Sequence, residues 1–418
     1  MKFETKCIQA GYSPKSGEPR VLPIVQSTTY KYDDAKTMGD LFNFDIAGHF
    51  YTRLSNPTLE AVENKIAQPE GGIGAMLTSS GQAASLAAVT NLCGAGDHMV
   101  CNSAIYGGTF NLFNTQLRKL GLEITFVSPD VTEDELNAAV RPNTKLIFSE
   151  TLTNASLAVL DIEMFARVAH QNGLPLIVDN TFPTPALCRP FEWGADIITH
   201  STSKYMDGHA VALGGAVVDG GSFDFANSAR HPDFNTPDES YHGLVYTEKF
   251  GKAAYIAKAR AQGMRDMGYQ QSPQNAFLLN IGLETLFLRM ERHTANAMAV
   301  AVHLENHPKI GWVNYPGLKS SRYYERAQKY LSGTSGVLCF GIKGGFDAAC
   351  AFMEKLKLIT PVVHVADSRS GVLHPASTTH RQLSAEQLVA CGITADTIRL
   401  SVGIEHIDDI IEDIEQAL

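Results

Sequence analysis

Apolar positions along this chain gather into short runs. Gly74 to Thr78, His98 to Cys101, Glu123 to Val127, Leu146 to Ser149, Leu174 to Val178 and Ile197 to Thr199 are the clearest. Between several of them the apolar spacing widens to every third or fourth position. Leu59 to Ile66, the Ala/Leu-rich stretch ending at Leu92, Phe110 to Leu120 and Ile162 to His170 follow that pattern. Short continuous runs predict strands buried on both faces, and the wider spacing predicts helices. Buried strands alternating with helices predict βαβ units, hence an α/β fold with a mostly parallel central sheet.

The pattern divides the chain. Residues 1–60 are rich in Pro, Gly and Tyr with little periodicity, which predicts an extended arm that contacts a neighbouring subunit. Residues 61–255 carry the alternating pattern of a large domain, with a loop-like segment from Ser222 to about Ser240. Tyr246 to Met267 and Pro273 to Glu305 read as helical, with the boundary placed near 255 inside that stretch. Residues 256–418 form a smaller α+β pattern, with strands at Gly336 to Ile342 and Thr397 to Ser401 and a closing helix.

Composition narrows the class. The chain has 418 residues, 44% hydrophobic and 19% charged, enough to bury a large core, which excludes disordered and collagen-like chains. The formal charge is −10, so nothing global draws it to nucleic acid or to an anionic membrane. No apolar run is long enough to span a bilayer. Met1 to Lys6 include an acid and no apolar region, so no secretory leader is expected. Cys7, Cys93, Cys101, Cys188, Cys339, Cys350 and Cys391 include no CxxC pair, and the count is odd. Reduced thiols in a cytoplasmic protein fit that usage.

Three segments carry chemistry. Leu174 to Thr181 is a buried strand closing in Asp179, and ligands in open α/β sheets sit outside the carboxyl ends of strands. Ala195 to Tyr205 is a second such strand, closing in Ser201, Thr202, Ser203 and Lys204. A lysine amine can condense with an aldehyde, and hydroxyls can bind a phosphate. Ser79 to Ala84 is a small-residue turn opening a helix, whose first N–H groups and dipole make a phosphate cup. Each segment has a plain alternative: a turn acid, a solvated surface lysine, an ordinary helix start. Together, an acid for a ring nitrogen, an amine for an aldehyde and a phosphate cup are what pyridoxal phosphate requires. Tyr106 offers an aromatic face for the ring or, equally, ordinary packing. Neither GxGxxG, a Walker loop nor GxSxG is present, and Ser80 has no evident triad partners. His303 and His307 are spaced i, i+4 without HExxH, so no metal is expected.

At this point the chain resembles the cysteine/methionine-metabolism family of pyridoxal-phosphate enzymes. The resemblance spans nearly the whole chain. It is carried by Tyr51 to Thr58, the cup at 79–84, Ile177 to Thr181, His200 to Tyr205, His374 to His380 and Arg399 to Glu405. It implies the aspartate-aminotransferase-like fold, known as fold type I. Within the family, Ser80-Gly81-Gln82, Phe277 to Leu286 and Arg289 to His293 are most similar to O-acetylhomoserine sulfhydrylases. Methionine γ-lyases usually have cysteine where this chain has Gly108.

The resemblance implies roles by position. Lys204 would hold the cofactor, Asp179 would pair with its ring nitrogen and Tyr106 would stack on the ring. Ser80, Gly81, Gln82, Thr181, Ser201 and Ser203 would surround its phosphate side. Tyr51 and Arg53 would reach a neighbouring subunit's phosphate, which implies a shared active site and a homotetramer. Asn154 would contact the phenolic oxygen, and Arg399, with His364 and Tyr106 near it, would bind substrate. Three positions depart from the family pattern: Ser203 replaces a common threonine, Ala155 a common proline, and His364 a serine or asparagine. The implied activity is γ-replacement, converting O-acetylhomoserine and sulfide to homocysteine and acetate. A sulfur-carrier protein is an alternative donor. Cystathionine γ-synthase and methionine γ-lyase activities, or a catalytically silent assembly module, are the alternatives.

Overall fold

The computed structural model describes residues 1–154, 156–378, 381 and 393–418. Ala155, Thr379, His380 and Cys391 lie outside them. The alternating pattern folds into a seven-stranded sheet, β1 (Gly74–Thr78), β2 (His98–Asn102), β3 (Glu123–Val127), β4 (Thr144–Glu150), β5 (Leu176–Asp179), β6 (Ile197–His200) and β7 (Gly215–Asp219). Its order is β1-β7-β6-β5-β4-β2-β3. Strands β6, β5, β4, β2 and β3 run parallel, while β7 lies antiparallel between β1 and β6. The sheet is therefore mostly parallel, as the strand pattern predicts.

Continuous apolar runs arise because both faces of this sheet are covered. Successive residues point to opposite faces. Leu176, Val178 and Ile198 pack with the helices Pro57–Glu70 and Ile162–Gln171. Ile177, Ile197 and Val217 pack on the other side with the helix Gly81–Thr90 and residues 254–264. Asn56 starts the helix Pro57–Glu70 by accepting from Thr58 and Leu59 N–H, and Pro57 occupies its first turn.

A second sheet of five strands follows: β8 (Ile310–Asn314), β9 (Val337–Ile342), β10 (Thr360–Pro361), β11 (Gly371–Leu373) and β12 (Thr397–Ser401). It is antiparallel except for β10 on β11, and helices Leu286–Glu305, Gly345–Lys355 and Ile407–Ala417 pack against it.

Several local expectations change. The segment read as one helix over Tyr246 to Met267 is broken at Gly251, which sits at φ +55, and widens into a π-type turn over Ala259–Met264. Pro273 to Glu305 is two helices, parted at Thr285. The first sixty residues hold two short helices, Phe3–Gln9 and Ala35–Phe42. Among the described residues, no helix is long and apolar enough to cross a membrane.

Candidate active site

The carboxyl ends of the parallel strands collect the chemistry. Asp179 closes β5, and its carboxylate accepts from Thr181 N–H at 3.0 Å and from the Thr199 hydroxyl at 3.2 Å. These donors fix its orientation and favour the charged form, while burial pushes its pKa up. Behind it, the fully buried His200 and Glu70 meet at 2.6 Å, joining β6 to the helix Pro57–Glu70.

Lys204 follows β6 by one turn. Its Nζ lies 3.1 Å from His364 Nδ1. Burial, aided by the Arg399 guanidinium, lowers the amine from its usual range to about 8. His364 is pushed down to about 4 by burial and by Lys204, so it is a neutral imidazole at neutral pH. The contact is therefore not an ion pair.

Arg399 lies on β12 of the second sheet and reaches back to the first. Its Nη1 donates to Asn154 Oδ1 at 3.2 Å and its Nη2 to the Val363 carbonyl at 3.1 Å. Lys204, His364, Arg399 and Asn154 are thus brought together from distant parts of the chain. Tyr106, half exposed, opens the short helix Gly107–Asn111, and its N–H donates to Glu150 Oε1 at 2.7 Å.

The cup forms where β1 meets the helix Gly81–Thr90. Ser80 Oγ caps that helix through Ala83 N–H at 3.1 Å. Gly81 is required by contact: a Cβ there would fall 2.6 Å from Ser201 Cβ. Thr181 Oγ1 accepts from Ser201 N–H at 2.8 Å, tying the ends of β5 and β6. Ser203 Oγ donates to the Gly214 carbonyl at 3.1 Å and accepts from Gly214 N–H. Its neighbour Thr202 carries a buried hydroxyl with no protein partner.

Tyr51 and Arg53 stand apart from this cluster. Arg53 stacks over the Tyr51 ring at 5.2 Å and donates to the Arg265 carbonyl. Among the described residues, His303 and His307 both face Glu415, His374 is held by Ser377 and the Ala395 carbonyl, and no group of three or more His, Cys, Asp or Glu could hold a metal ion.

These residues fit pyridoxal phosphate. Gln82 Oε1, Thr202 Oγ1, His364 Nε2 and Arg399 Nε are buried without protein partners, and buried polar groups usually find one. They belong to the cup, the lysine turn and the second sheet's edge, where a ligand bearing phosphate and carboxylate would meet them. Residue reading missed Glu150, Thr199, Thr202 and the Glu70–His200 pair. The signal for Glu150 was present: an acid closing the strand beside the one that ends in Asp179.

Comparison with known proteins agrees. The family model described as "Cys/Met metabolism PLP-dependent enzyme" matches residues 4–418. A homocysteine synthase of Schizosaccharomyces pombe is 46% identical over 100% of this chain and 98% of its own length. An O-acetyl-L-homoserine sulfhydrylase of Corynebacterium glutamicum is 46% identical over 99% of this chain and 96% of its own. A solved Campylobacter jejuni structure, assigned as an O-acetylhomoserine (thiol)-lyase and carrying N'-pyridoxyl-lysine-5'-monophosphate, superposes with a TM-score of 0.96 at 39% identity, covering 100% of this chain and 99% of that one. Strand order, lysine, strand-end acid and full-length likeness agree, and the chain belongs to the Cys/Met-metabolism family of pyridoxal-phosphate-dependent enzymes.

Proposed function

We propose that this protein is an O-acetylhomoserine sulfhydrylase, a transferase that converts O-acetylhomoserine and sulfide to homocysteine and acetate. One observation carries this reading: the chain is similar from end to end to proteins named homocysteine synthase and O-acetyl-L-homoserine sulfhydrylase, at 42–46% identity. We take it to work in the cytoplasm as a homotetramer, with sulfide or a sulfur-carrier protein as donor.

Pyridoxal phosphate, when bound, supplies an aldehyde for the substrate amine and a ring that withdraws electrons from Cα. The chain does the rest. Lys204 Nζ holds the cofactor, is displaced by the substrate amine and then takes the Cα proton. A pKa near 8 leaves a useful neutral fraction at neutral pH. Asp179 places a carboxylate at the ring nitrogen, and the Tyr106 ring covers one face. Ser80, Gly81, Gln82, Thr181, Ser201 and Ser203 gather round the phosphate, with Tyr51 and Arg53 of a neighbouring subunit. Arg399 clamps the substrate carboxylate with a planar fork, with His364 packed beside it. Asn154 holds Arg399 from the other side and faces the phenolic oxygen.

The test is a product assay with the acetyl, succinyl and phospho esters of homoserine, with and without sulfide. Homocysteine and acetate are expected from the acetyl ester with sulfide. Ammonia and a keto acid would indicate γ-lyase activity, and cystathionine formed from cysteine would indicate a cystathionine γ-synthase.

A further inference from the structure

β4 closes in Glu150, which is 6% exposed and stands in register with Asp179 on β5. Registered residues of parallel neighbours point to the same face, with backbones about 4.8 Å apart. Two carboxyl groups therefore share one poorly solvated space. Glu150 Oε1 accepts from Tyr106 N–H at 2.7 Å, and the Asn154 main-chain N–H reaches the same carboxyl. The segment after β2 carries the ring-facing Tyr106. The segment after β4 carries Asn154, which in turn receives Arg399 Nη1. One side chain thus links the ring face, the Asn154 contact and the substrate clamp, alongside the acid for the ring nitrogen.

Among the described residues no cation pairs with Glu150. An ionised carboxylate so buried beside another acid is costly, whereas a protonated one keeps an acceptor oxygen for main-chain N–H groups. Burial and Asp179 push Glu150 well above the usual carboxylate range, which leaves the negative charge on Asp179.

From this arrangement we infer that Glu150 is a positioning residue of the reaction: its carboxyl oxygen fixes the Tyr106 and Asn154 segments against Asp179. The inference rests on the cofactor and activity proposed above. It makes the acceptor oxygen at Glu150 matter and its charge matter little.

The experiment compares Glu150→Gln, Glu150→Asp and Glu150→Ala in the full-length enzyme. Pyridoxal phosphate affinity of the cofactor-free protein, visible circular dichroism of the bound cofactor, and KM and kcat for O-acetylhomoserine are read for each. Glu150→Ala removes the acceptor, and at about 1 kcal/mol for each lost main-chain bond, cofactor affinity should fall roughly 10- to 30-fold. Its circular dichroism band should shrink. Glu150→Asp withdraws the oxygen by one methylene and should lie between alanine and wild type. Glu150→Gln keeps a carbonyl oxygen and should recover most of the affinity and the band. If glutamine is as damaging as alanine, charge rather than position matters and the inference is wrong. It is equally wrong if aspartate, or alanine where that variant folds, matches wild type in affinity and dichroism. The Lys204→Ala variant separates the two levels. A borohydride-reducible cofactor link that survives in it would overturn the site reading itself, whereas wild-type values in the Glu150 variants would overturn only the role of Glu150.

Discussion

Lys204 shows how surroundings make an ordinary side chain reactive. A protonated amine cannot attack an aldehyde, and burial beside Arg399 brings this one down to about 8. Below pH 8 the neutral fraction grows about tenfold per pH unit, and above it growth stops. Cofactor uptake by the cofactor-free enzyme, followed by absorbance, should therefore rise with pH and level off near 8; a rise continuing past pH 10 would mean the amine is unperturbed. Lys204→Ala should abolish turnover and the borohydride-reducible link. Asp179→Asn should keep the fold and slow the reaction, since an amide stabilises a protonated ring nitrogen less than a carboxylate. A charge-assisted hydrogen bond is worth about 1.5–3 kcal/mol, or roughly 10- to 150-fold in rate. Gly108 is informative in another way. A Cβ there would sit 2.4 Å from Gln82 Nε2 and 2.5 Å from Tyr106 Cε1. Gly108→Cys should push both side chains off the site, weakening cofactor retention and lowering kcat; an unchanged absorbance titration and turnover number would show that they yield freely.

Elements bring these residues to one place, and what could be read from the sequence follows from how locally each element is specified. The central parallel strands were legible because burial on both faces leaves an uninterrupted apolar run. β7 was not, because it follows glycines that read as loop, and only its place between β1 and β6 makes it a strand. The breaks at Gly251 and Thr285 were hidden because apolar spacing continues across them. Site residues sort the same way. Asp179, Lys204 and the cup each lie within a local strand-to-turn signal. The contacts of His364 with Lys204 and of Arg399 with Asn154 join residues 160 and 245 positions apart, which no local pattern reports. Asn56 gives an element-scale prediction. It is fully buried, caps the helix Pro57–Glu70, and donates to the Val25 carbonyl at 2.9 Å and to the Tyr30 hydroxyl at 3.1 Å. Asn56→Ala removes a cap, about 1 kcal/mol, and strands a buried carbonyl, about 1–3 kcal/mol more. Asn56→Asp keeps the cap and loses only the donor. Urea midpoints should therefore fall in the order wild type, aspartate, alanine, and an alanine variant as stable as wild type would contradict this account of the helix start.

At the scale of the whole molecule the arm raises a question of assembly. Residues 23–25 are tied to the start of the helix Pro57–Glu70, through Thr58 to the Pro23 carbonyl and through Val25 N–H to Thr58. Beyond that anchor, Tyr51 is exposed, and among the described residues Arg53 makes no hydrogen bond to any cup residue of its own chain. Exposed Val211 and Leu213, beside the lysine turn, add apolar surface near the same site. We propose that Tyr51 and Arg53 complete a neighbour's phosphate site, so that each active site needs two chains. Arg53→Ala should then loosen the cofactor and lower activity that excess pyridoxal phosphate partly restores, while Lys204→Ala should be inactive at any concentration. Mixing the two variants makes the stronger test. In a shared arrangement, a mixed pair of subunits holds one site with both lesions and one with neither. If subunits assort at random, half of all pairs are mixed and each contributes one intact site, so roughly a quarter of the wild-type sites should return. Such recovery after subunit exchange, measured as homocysteine formation at limiting cofactor, would place Arg53 across the interface. Activity no higher than the average of the two variants, with exchange demonstrated by mass-tagged chains, would place Arg53 in its own chain's site.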